Sequence, residues 1–177
     1  MLWYPDETIQ HAGIVTGLGG YAGHSHKYKK KGGSGYLFRA ATVQDFSGVT
    51  GACLLVKTAV YDEMHGLDEQ FAVAFNDVDF CLRVRDAGYR IAWTPYAELI
   101  HYESKSRGGD EKDPVKAARF AAEQQRLYTI HGKENILDDP YYNPNLTRDR
   151  EDFSESDDLR RLKEGRVTVR FRGGTLQ

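Results

Sequence analysis

Two acidic side chains at the start of a helix-like segment are the residues of this sequence best suited to chemistry. Asp77 and Asp79 lie in the run 74-AFNDVDFCLRVRDAG-88, and His101 follows further along the chain. Two carboxylates and an imidazole could form a general base beside a divalent metal ion. The alternative is a helix cap, a surface acid and a structural histidine. From these residue types alone, the alternative is favoured.

The segment that carries the two acids has the pattern of a capped helix. Asp77 and Asp79 suit the positive end of a helix dipole, and Arg83 and Arg85 suit its negative end. Gly88 is the expected left-handed residue after the last turn. A helix that starts at a strand-to-helix junction places its first side chains where catalytic groups of α/β proteins project.

Strand-like and helical segments alternate around this helix and predict an α/β fold. The apolar run 52–56 predicts a buried strand, and Thr58 could cap a short helix that ends near Gly66. Further elements are two strands at 89–94 and 97–104, a helix with Asp113 as cap, Pro114 at its first position and Gly132 at its end, and a late strand at 167–171.

The early part of the chain has a different composition. Residues 11–20 form a short β-prone run ending in glycines, and residues 23–36 read as a polar loop, so neither is expected to contribute to the core. His24 and His26 could bind a metal or a phosphate, and the lysines of residues 27–31 could attract a lipid diphosphate. A solvated loop is the simpler interpretation of both.

Composition limits the class of protein. The 177 residues are 40% hydrophobic and 12% aromatic, which predicts one packed domain. The net charge of −2 gives no general attraction to nucleic acid. Cys53 and Cys81 lie in apolar runs and are expected to be buried reduced thiols, with no disulfide or zinc site. No segment has the pattern of a bilayer span or a signal peptide, so we expect a cytoplasmic protein, with peripheral membrane contact left open.

Several spaced motifs occur in the order seen in one enzyme family. The run 50-TGACLLV-56 precedes 66-GLDE-69, and 76-NDVD-79 then precedes a Gly-Tyr pair, a proline and His101. These motifs resemble the acceptor-side half of the inverting family 2 glycosyltransferases, which have the GT-A fold. Leu67 replaces the commoner phenylalanine of that family, and Asn76 replaces the commoner glutamate.

Two more segments point to a subgroup, and the match extends from about Leu2 to about Leu146. The segments 139-DPYYNPNL-146 and 23-GHSH-26 are similar to bacterial members that build surface polysaccharides. The resemblance implies an α/β, partial GT-A (Rossmann-like) fold that lacks the N-terminal nucleotide-binding half. Residues 1–146 would be the C-terminal part of a glycosyltransferase domain, and residues 147–177 a charged tail or extension.

The resemblance also implies roles for individual residues. Asp77 would be the general base that takes the proton of the acceptor hydroxyl. Thr50 and Gly51 would line the acceptor pocket, where a glycine permits close approach of a sugar. Asp79 would contact the acceptor or orient the helix start. His101 would bind a divalent metal, manganese or magnesium, or support its ligands, and an imidazole favours manganese.

The implied partners are a nucleotide-sugar donor and a glycan or lipid-linked acceptor, with inversion at the transferred sugar. The metal would bind only together with the missing N-terminal half, so the isolated chain is expected to be inactive. Exposed strand edges around Ala52 and Ile91 would favour self-association. The rival hypothesis is a non-catalytic binding module derived from the same fold. A metal-dependent hydrolase is disfavoured because no His-x-His-x-Asp cluster occurs.

Overall fold

The computed structural model describes residues 1–102 and 113–157, together with the backbone of residues 170–171 and 174–175. The chain is mixed α/β, with short strands and four helices in this described part. The strands are β1 (Leu2–Trp3), β2 (Ile9–His11), β3 (Ile14–Thr16), β4 (Ala22–His24), β5 (Gln44–Asp45), β6 (Ala92–Trp93), β7 (Leu99–Ile100), β8 (Arg170–Phe171) and β9 (Gly174–Thr175). The helices are α1 (Thr58–Glu63), α2 (Asn76–Asp86), α3 (Pro114–His131) and α4 (Lys133–Leu137).

The strands form small sheets. β1 lies between β2 and β7, antiparallel to β2 and parallel to β7, with Leu2 opposite Leu99. β3 and β4 form an antiparallel hairpin, as do β8 and β9, and β5 pairs antiparallel with β6. The parallel β1–β7 pair joins the first residues of the chain to residues 99–100 and places His101 directly after the sheet.

Helix α2 lies between two apolar clusters and contributes to both. Phe80 and Val84 pack with Phe46 and Trp93 in one cluster. Val78 and Leu82 join the other cluster, whose remaining buried members are Ile14, Phe71, Phe75, Leu127 and Ile136. The helix is therefore fixed on two sides, which holds its first turn in place. Trp93 is 4% exposed and belongs to the core.

Local signals located the helices well. The side chain of Asp113 accepts from the backbone N–H groups of Val115 and Lys116, and Gly132 follows the last residue of α3 with a φ of 77°. Gly88 also has a positive φ, as predicted for the end of α2. In α1, Thr58 is the first helical residue and Lys57 occupies the cap position, so the predicted Thr58 cap is wrong by one residue.

The buried strand predicted at 52–56 is wrong. Residues 51–53 form a 3₁₀ turn that begins where Thr50 Oγ1 accepts from the N–H of Ala52 at 3.3 Å. The chain then runs extended along the surface without a strand partner among the described residues, and Leu55 is 98% exposed. Cys53 is exposed as well, which contradicts its predicted burial, whereas Cys81 is buried.

The prediction that residues 11–36 stay outside the core is also wrong. Ile14, Val15 and Leu18 are buried, and His26 is 4% exposed rather than solvated. His26 Nε2 accepts from the N–H of Tyr36 at 3.1 Å, and its Nδ1 lies 2.7 Å from Oγ of Ser25. The loop is therefore folded around this imidazole, a long-range arrangement that its polar composition did not reveal.

A buried aspartate ties the second half of the chain to the β3–β4 hairpin. Asp139 is fully buried, and its Oδ2 accepts from the N–H of Thr16 at 2.7 Å. Its Oδ1 accepts from the N–H of Tyr141 at 2.7 Å. Asp139 thus orders the start of the segment 139–146 and joins residues 123 positions apart in sequence.

Residues 147–157 continue from this segment and pack against the body, since the ring of Phe153 lies 4.3 Å from that of His26. The domain boundary at residue 146 stays a prediction. Of the late strand predicted at 167–171, Arg170–Phe171 is observed, and residues 167–169 lie outside the described residues. Among the described helices, none combines the length and the apolar character needed to cross a bilayer.

Candidate functional site

The first turn of α2 presents Asp77 with a fixed carboxylate. Its Oδ2 accepts from the backbone N–H of Gly51 at 2.9 Å, and its Oδ1 accepts from the N–H of Val78 at 2.8 Å. In the same turn, Oδ1 of Asn76, the first residue of α2, accepts from the N–H of Asp77 at 2.7 Å. Each carboxylate oxygen keeps lone pairs beyond these bonds, so the group is oriented and can still accept a proton.

The backbone just before Asp77 is held in an uncommon conformation. Phe75 has a φ of 64°, in the left-handed region that non-glycine residues seldom adopt. The buried carboxylate of Glu123 on α3 accepts from the N–H of Ala74 at 2.7 Å and of Val73 at 3.3 Å. Glu123 therefore fixes the approach to Asp77. It lies on one helical face with Phe120 and Leu127, a pattern that could have marked it as buried.

Asp79 has a different environment from Asp77. Its side chain is 1% exposed; Oδ1 lies 2.8 Å from Nε2 of His131, and Oδ2 lies 2.7 Å from a guanidinium nitrogen of Arg83. Burial alone would raise the pKa of Asp79, but the hydrogen bonds from His131 and Arg83 outweigh it and hold the pKa below its usual value. Asp79 thus joins α2 to α3, a geometry that favours its orienting role over contact with an acceptor.

An open cavity of about 730 Å³ lies at the first turn of α2. Four of the five predicted site residues, Thr50, Gly51, Asp77 and His101, line it. Asp79 does not line it. Asp77 on α2 and His101 after β7 thus line the same cavity from different parts of the chain. Their roles as general base and metal ligand stay predictions.

His101 reaches this cavity because its backbone extends the β1–β7 pairing, with its N–H donating to the carbonyl of Trp3 at 2.9 Å. Its Nδ1 is buried and has no hydrogen-bond partner among the described residues. Within residues 1–102 and 113–157, no three His, Cys, Asp or Glu side chains converge as a metal site would need.

Sequence reasoning missed several residues of the cavity wall. Gln10 from β2, His24 from β4 and Glu151 line it together with the aromatic residues Tyr21 and Phe120. Burial raises the pKa of Glu151 against the opposing effect of Lys27. The only sequence pattern that pointed to His24 was its place in the histidine-containing stretch 23–26. No sequence pattern pointed to Gln10.

A second cavity, of about 710 Å³, lies beside the exposed run 54–56. Its wall is mainly apolar and includes Val49, Phe80 and Trp93. No predicted site residue lines this cavity.

The chain is similar to segments of longer bacterial proteins. It is 49% identical, over 86% of its length, to 17% of the uncharacterized protein y4gI of Sinorhizobium fredii. It is 34% identical, over 82% of its length, to 11% of the O-antigen biosynthesis protein RfbC of Myxococcus xanthus. Over 45% of its length it is 32% identical to 24% of the N-acetylglucosaminyl-diphospho-decaprenol L-rhamnosyltransferase of Mycobacterium tuberculosis.

The chain therefore spans less than a quarter of the length of these curated relatives. No protein-family description and no solved structure matches it.

Proposed function

We propose that this chain is the acceptor-binding and catalytic-base part of an inverting glycosyltransferase that acts in bacterial surface polysaccharide synthesis. Its homologues include proteins named for O-antigen biosynthesis and for rhamnosyl transfer, which supports a glycosyltransferase-like relationship. The observation that carries the proposal is the cavity shared by Asp77, Thr50, Gly51 and His101, with the Asp77 carboxylate oriented by the Gly51 N–H.

In the proposed reaction, Asp77 accepts the proton of an acceptor hydroxyl while that oxygen attacks the anomeric carbon of a nucleotide sugar. The bond from the anomeric carbon to the diphosphate breaks, and the nucleoside diphosphate leaves with the bonding electron pair. A single displacement inverts the configuration at that carbon. The two backbone bonds to Asp77 leave a lone pair free on each carboxylate oxygen, as a general base requires.

The rest of the active site belongs to the same proposal. A nucleotide-sugar pocket in a partial GT-A fold would be completed by sequence other than the described residues. The binding site of a divalent ion would be completed by the same sequence, and His101 would be the ligand that this chain contributes. The acceptor would be a glycan or lipid-linked sugar at the cytoplasmic side of a membrane.

The competing candidate is a binding module in which 76-NDVD-79 only starts a helix. A local hydrogen bond at the helix start accounts for Asn76, and ion pairing accounts for Asp79. Neither accounts for an Asp77 carboxylate held by Gly51 at the wall of a cavity that His101 also lines. The geometry therefore supports the enzyme better than the module.

The direct test replaces Asp77 by asparagine in the full-length protein. Loss of a general base lowers the transfer rate by about two to four orders of magnitude, while donor affinity stays close to normal. Asp86→Asn, on the exposed last turn of the same helix, is the matched control and retains its rate. Near-normal turnover of the Asp77→Asn protein would contradict the proposed role.

A further inference from the structure

A surface loop, residues 27–43, presents large apolar side chains to solvent. Leu37 is 76% exposed and Phe38 is 65% exposed, and Tyr28 and Val43 of the same loop are exposed as well. Single apolar residues scattered over a surface need no explanation, but neighbouring ones mark a contact surface. Leu37 and Phe38 are adjacent, so this loop is a candidate for such a surface.

The backbone holds these two side chains in place. Leu37 has a φ of 45° and Phe38 a φ of 62°, both in the left-handed region that non-glycine residues seldom adopt. The residue before them is anchored. The N–H of Tyr36 donates to Nε2 of the buried His26 at 3.1 Å, and its ring stacks on that of Phe153 at 5.2 Å. A strained backbone that keeps apolar side chains in water points to a function.

The loop is also basic. Residues 27–39 contain four lysines and one arginine, and residues 8–44 contain no aspartate or glutamate. The whole chain, in contrast, has 26 acidic and 24 basic residues. Arg39 does not belong to this surface charge, because its guanidinium carbon lies 4.8 Å from the centre of the Phe46 ring and the side chain is half-buried. The surface charge of the loop therefore comes from its lysines.

Two of the lysines are free to meet a partner. Nζ of Lys31 lies 3.6 Å from a carboxylate oxygen of Glu98, so this charge is partly compensated. Lys29 and Lys30 are exposed and form no ion pair with any described residue. Positive charge without an acidic counterpart lies in the same loop as the exposed apolar pair, and this combination suits an anionic partner that also accepts apolar groups.

We propose that loop 27–43 is a membrane-binding surface. Leu37 and Phe38 insert into the interfacial region of a bilayer that contains anionic lipid, and Lys29 and Lys30 contact the headgroups. Apolar insertion and attraction to anionic lipid add to each other, and peripheral proteins combine two such signals. An acidic protein would engage the lysines, but it would need a pocket for each protruding apolar side chain. A fluid bilayer accepts them without one.

The loop begins at the wall of the Asp77 cavity. Lys27 lines that cavity together with Glu151, and its charge lowers the pKa of Glu151 against the larger, opposing effect of burial. Lys27 is therefore assigned to the cavity and not to the headgroup contacts. Membrane binding through the rest of the loop would keep the cavity close to the bilayer. The inference does not depend on the catalytic role proposed for Asp77.

The test is co-sedimentation of the 177-residue chain with vesicles of phosphatidylcholine alone and of equal parts phosphatidylcholine and phosphatidylglycerol. We expect binding to the anionic vesicles only. Replacing both apolar residues, Leu37→Ser with Phe38→Ser, should weaken it about tenfold or more. Leu55→Ser, at a leucine that is exposed outside the loop, is the matched control and should leave the binding unchanged.

The lysines are tested in the same assay. Lys29→Gln with Lys30→Gln should weaken binding to the anionic vesicles about tenfold or more. Lys57→Gln with Lys133→Gln removes the same charge at two exposed lysines outside the loop and should have much less effect. Soluble polyglutamate is the probe for an acidic protein partner, and we expect it to bind more weakly than the anionic vesicles.

Several results would overturn the proposal. They are no binding to anionic vesicles, equal binding to both kinds of vesicle, and binding that the loss of Leu37 and Phe38 leaves unchanged. Polyglutamate that binds as tightly as the anionic vesicles would assign the loop to an acidic protein instead.

Insertion is measured separately, on a variant that keeps the loop apolar. The fluorescence of Phe38→Trp should shift to shorter wavelength when anionic vesicles are added, and that of Leu55→Trp should not. This measurement needs no loss of binding, so it decides even where a serine variant fails to fold. An unshifted Phe38→Trp emission on vesicles that carry the bound chain would contradict insertion.

Discussion

The backbone N–H of Gly51 donates to Oδ2 of Asp77 at 2.9 Å and so joins a surface turn to the first turn of α2 across 26 residues of sequence. This bond fixes the direction of the carboxylate, whereas the helix alone fixes only its position. The bond comes from the backbone of residue 51, so a substitution there can remove it and leave both Asp77 and its helix intact.

Gly51→Pro removes this N–H donor, and we expect it to lower the rate of transfer by the full-length enzyme about ten- to a hundredfold through a misplaced base. Thr50 already has the extended conformation that a residue before proline requires, with φ −68° and ψ 140°. Gly51→Ala is the control, since its Cβ would lie 3.5 Å from Cβ of Asp77, an ordinary contact, and it keeps the N–H. Equal rates for the two variants would show that the bond does not matter.

Asp79→Asn is expected to reduce the free energy of unfolding by about 2 to 4 kcal/mol, because it removes the charge that pairs with Arg83 and His131. The folded-state pKa of Asp79 is lowered. Its stabilisation is therefore present above the unfolded pKa of about 3.9 and is lost as the pH falls through the lower folded value.

Urea unfolding at neutral and acidic pH measures both effects. Asp86→Asn, whose side chain is 61% exposed, is the control and should change little. An Asp79→Asn protein as stable as the control at neutral pH would contradict this account.

The loop around His26 makes the fold sensitive to acid. Burial, followed by the charges of Arg39 and Lys29, lowers the pKa of His26 to about 4. The unfolded chain binds this proton near pH 6.5, so stability is complete above that pH and is lost as the pH falls toward 4, by up to about 3 kcal/mol. His26→Gln should flatten the dependence of the unfolding free energy on pH in this window. His65→Asn, at an exposed histidine, is the control and should leave that dependence unchanged.

The isolated chain is expected not to bind nucleoside diphosphates, even with manganese present. Before Thr50 the structure has short strands and 3₁₀ turns but no α-helix whose N-terminus could receive a diphosphate. Calorimetric titration of the chain and of a longer protein measures this difference. Micromolar binding by the isolated chain with a stoichiometry near one would place a nucleotide site within these residues.

The parts of the fold that follow from local chemistry could be predicted from the sequence. Asp113, Pro114 and Gly132 bound α3 because caps act within one turn. Asp77 and His101 were predicted as site residues because their motifs are spaced as in the family that the sequence resembles. Local signals could not show that Leu55 is exposed, because a strand forms only where a partner strand is present.

The same limit applies to the site. Glu123 acts through contacts with residues far along the chain, since it meets Val73 and Ala74 about 50 positions away. His26 is buried because Phe153 and Tyr36 cover it, which the polar composition of residues 23–36 hides. Pairings of this kind depend on the whole fold and leave no trace within a short window of sequence.

The bond between Thr16 and Asp139 has a consequence for the order in which the molecule assembles. The buried N–H of Thr16 has its acceptor 123 residues later, so the β3–β4 hairpin cannot complete its hydrogen bonding until that aspartate has been synthesised. Contacts of such long sequence separation slow folding. On the ribosome, the first half of the chain would therefore wait with an incomplete core, exposed to chaperones, until residue 139 emerges from the exit tunnel.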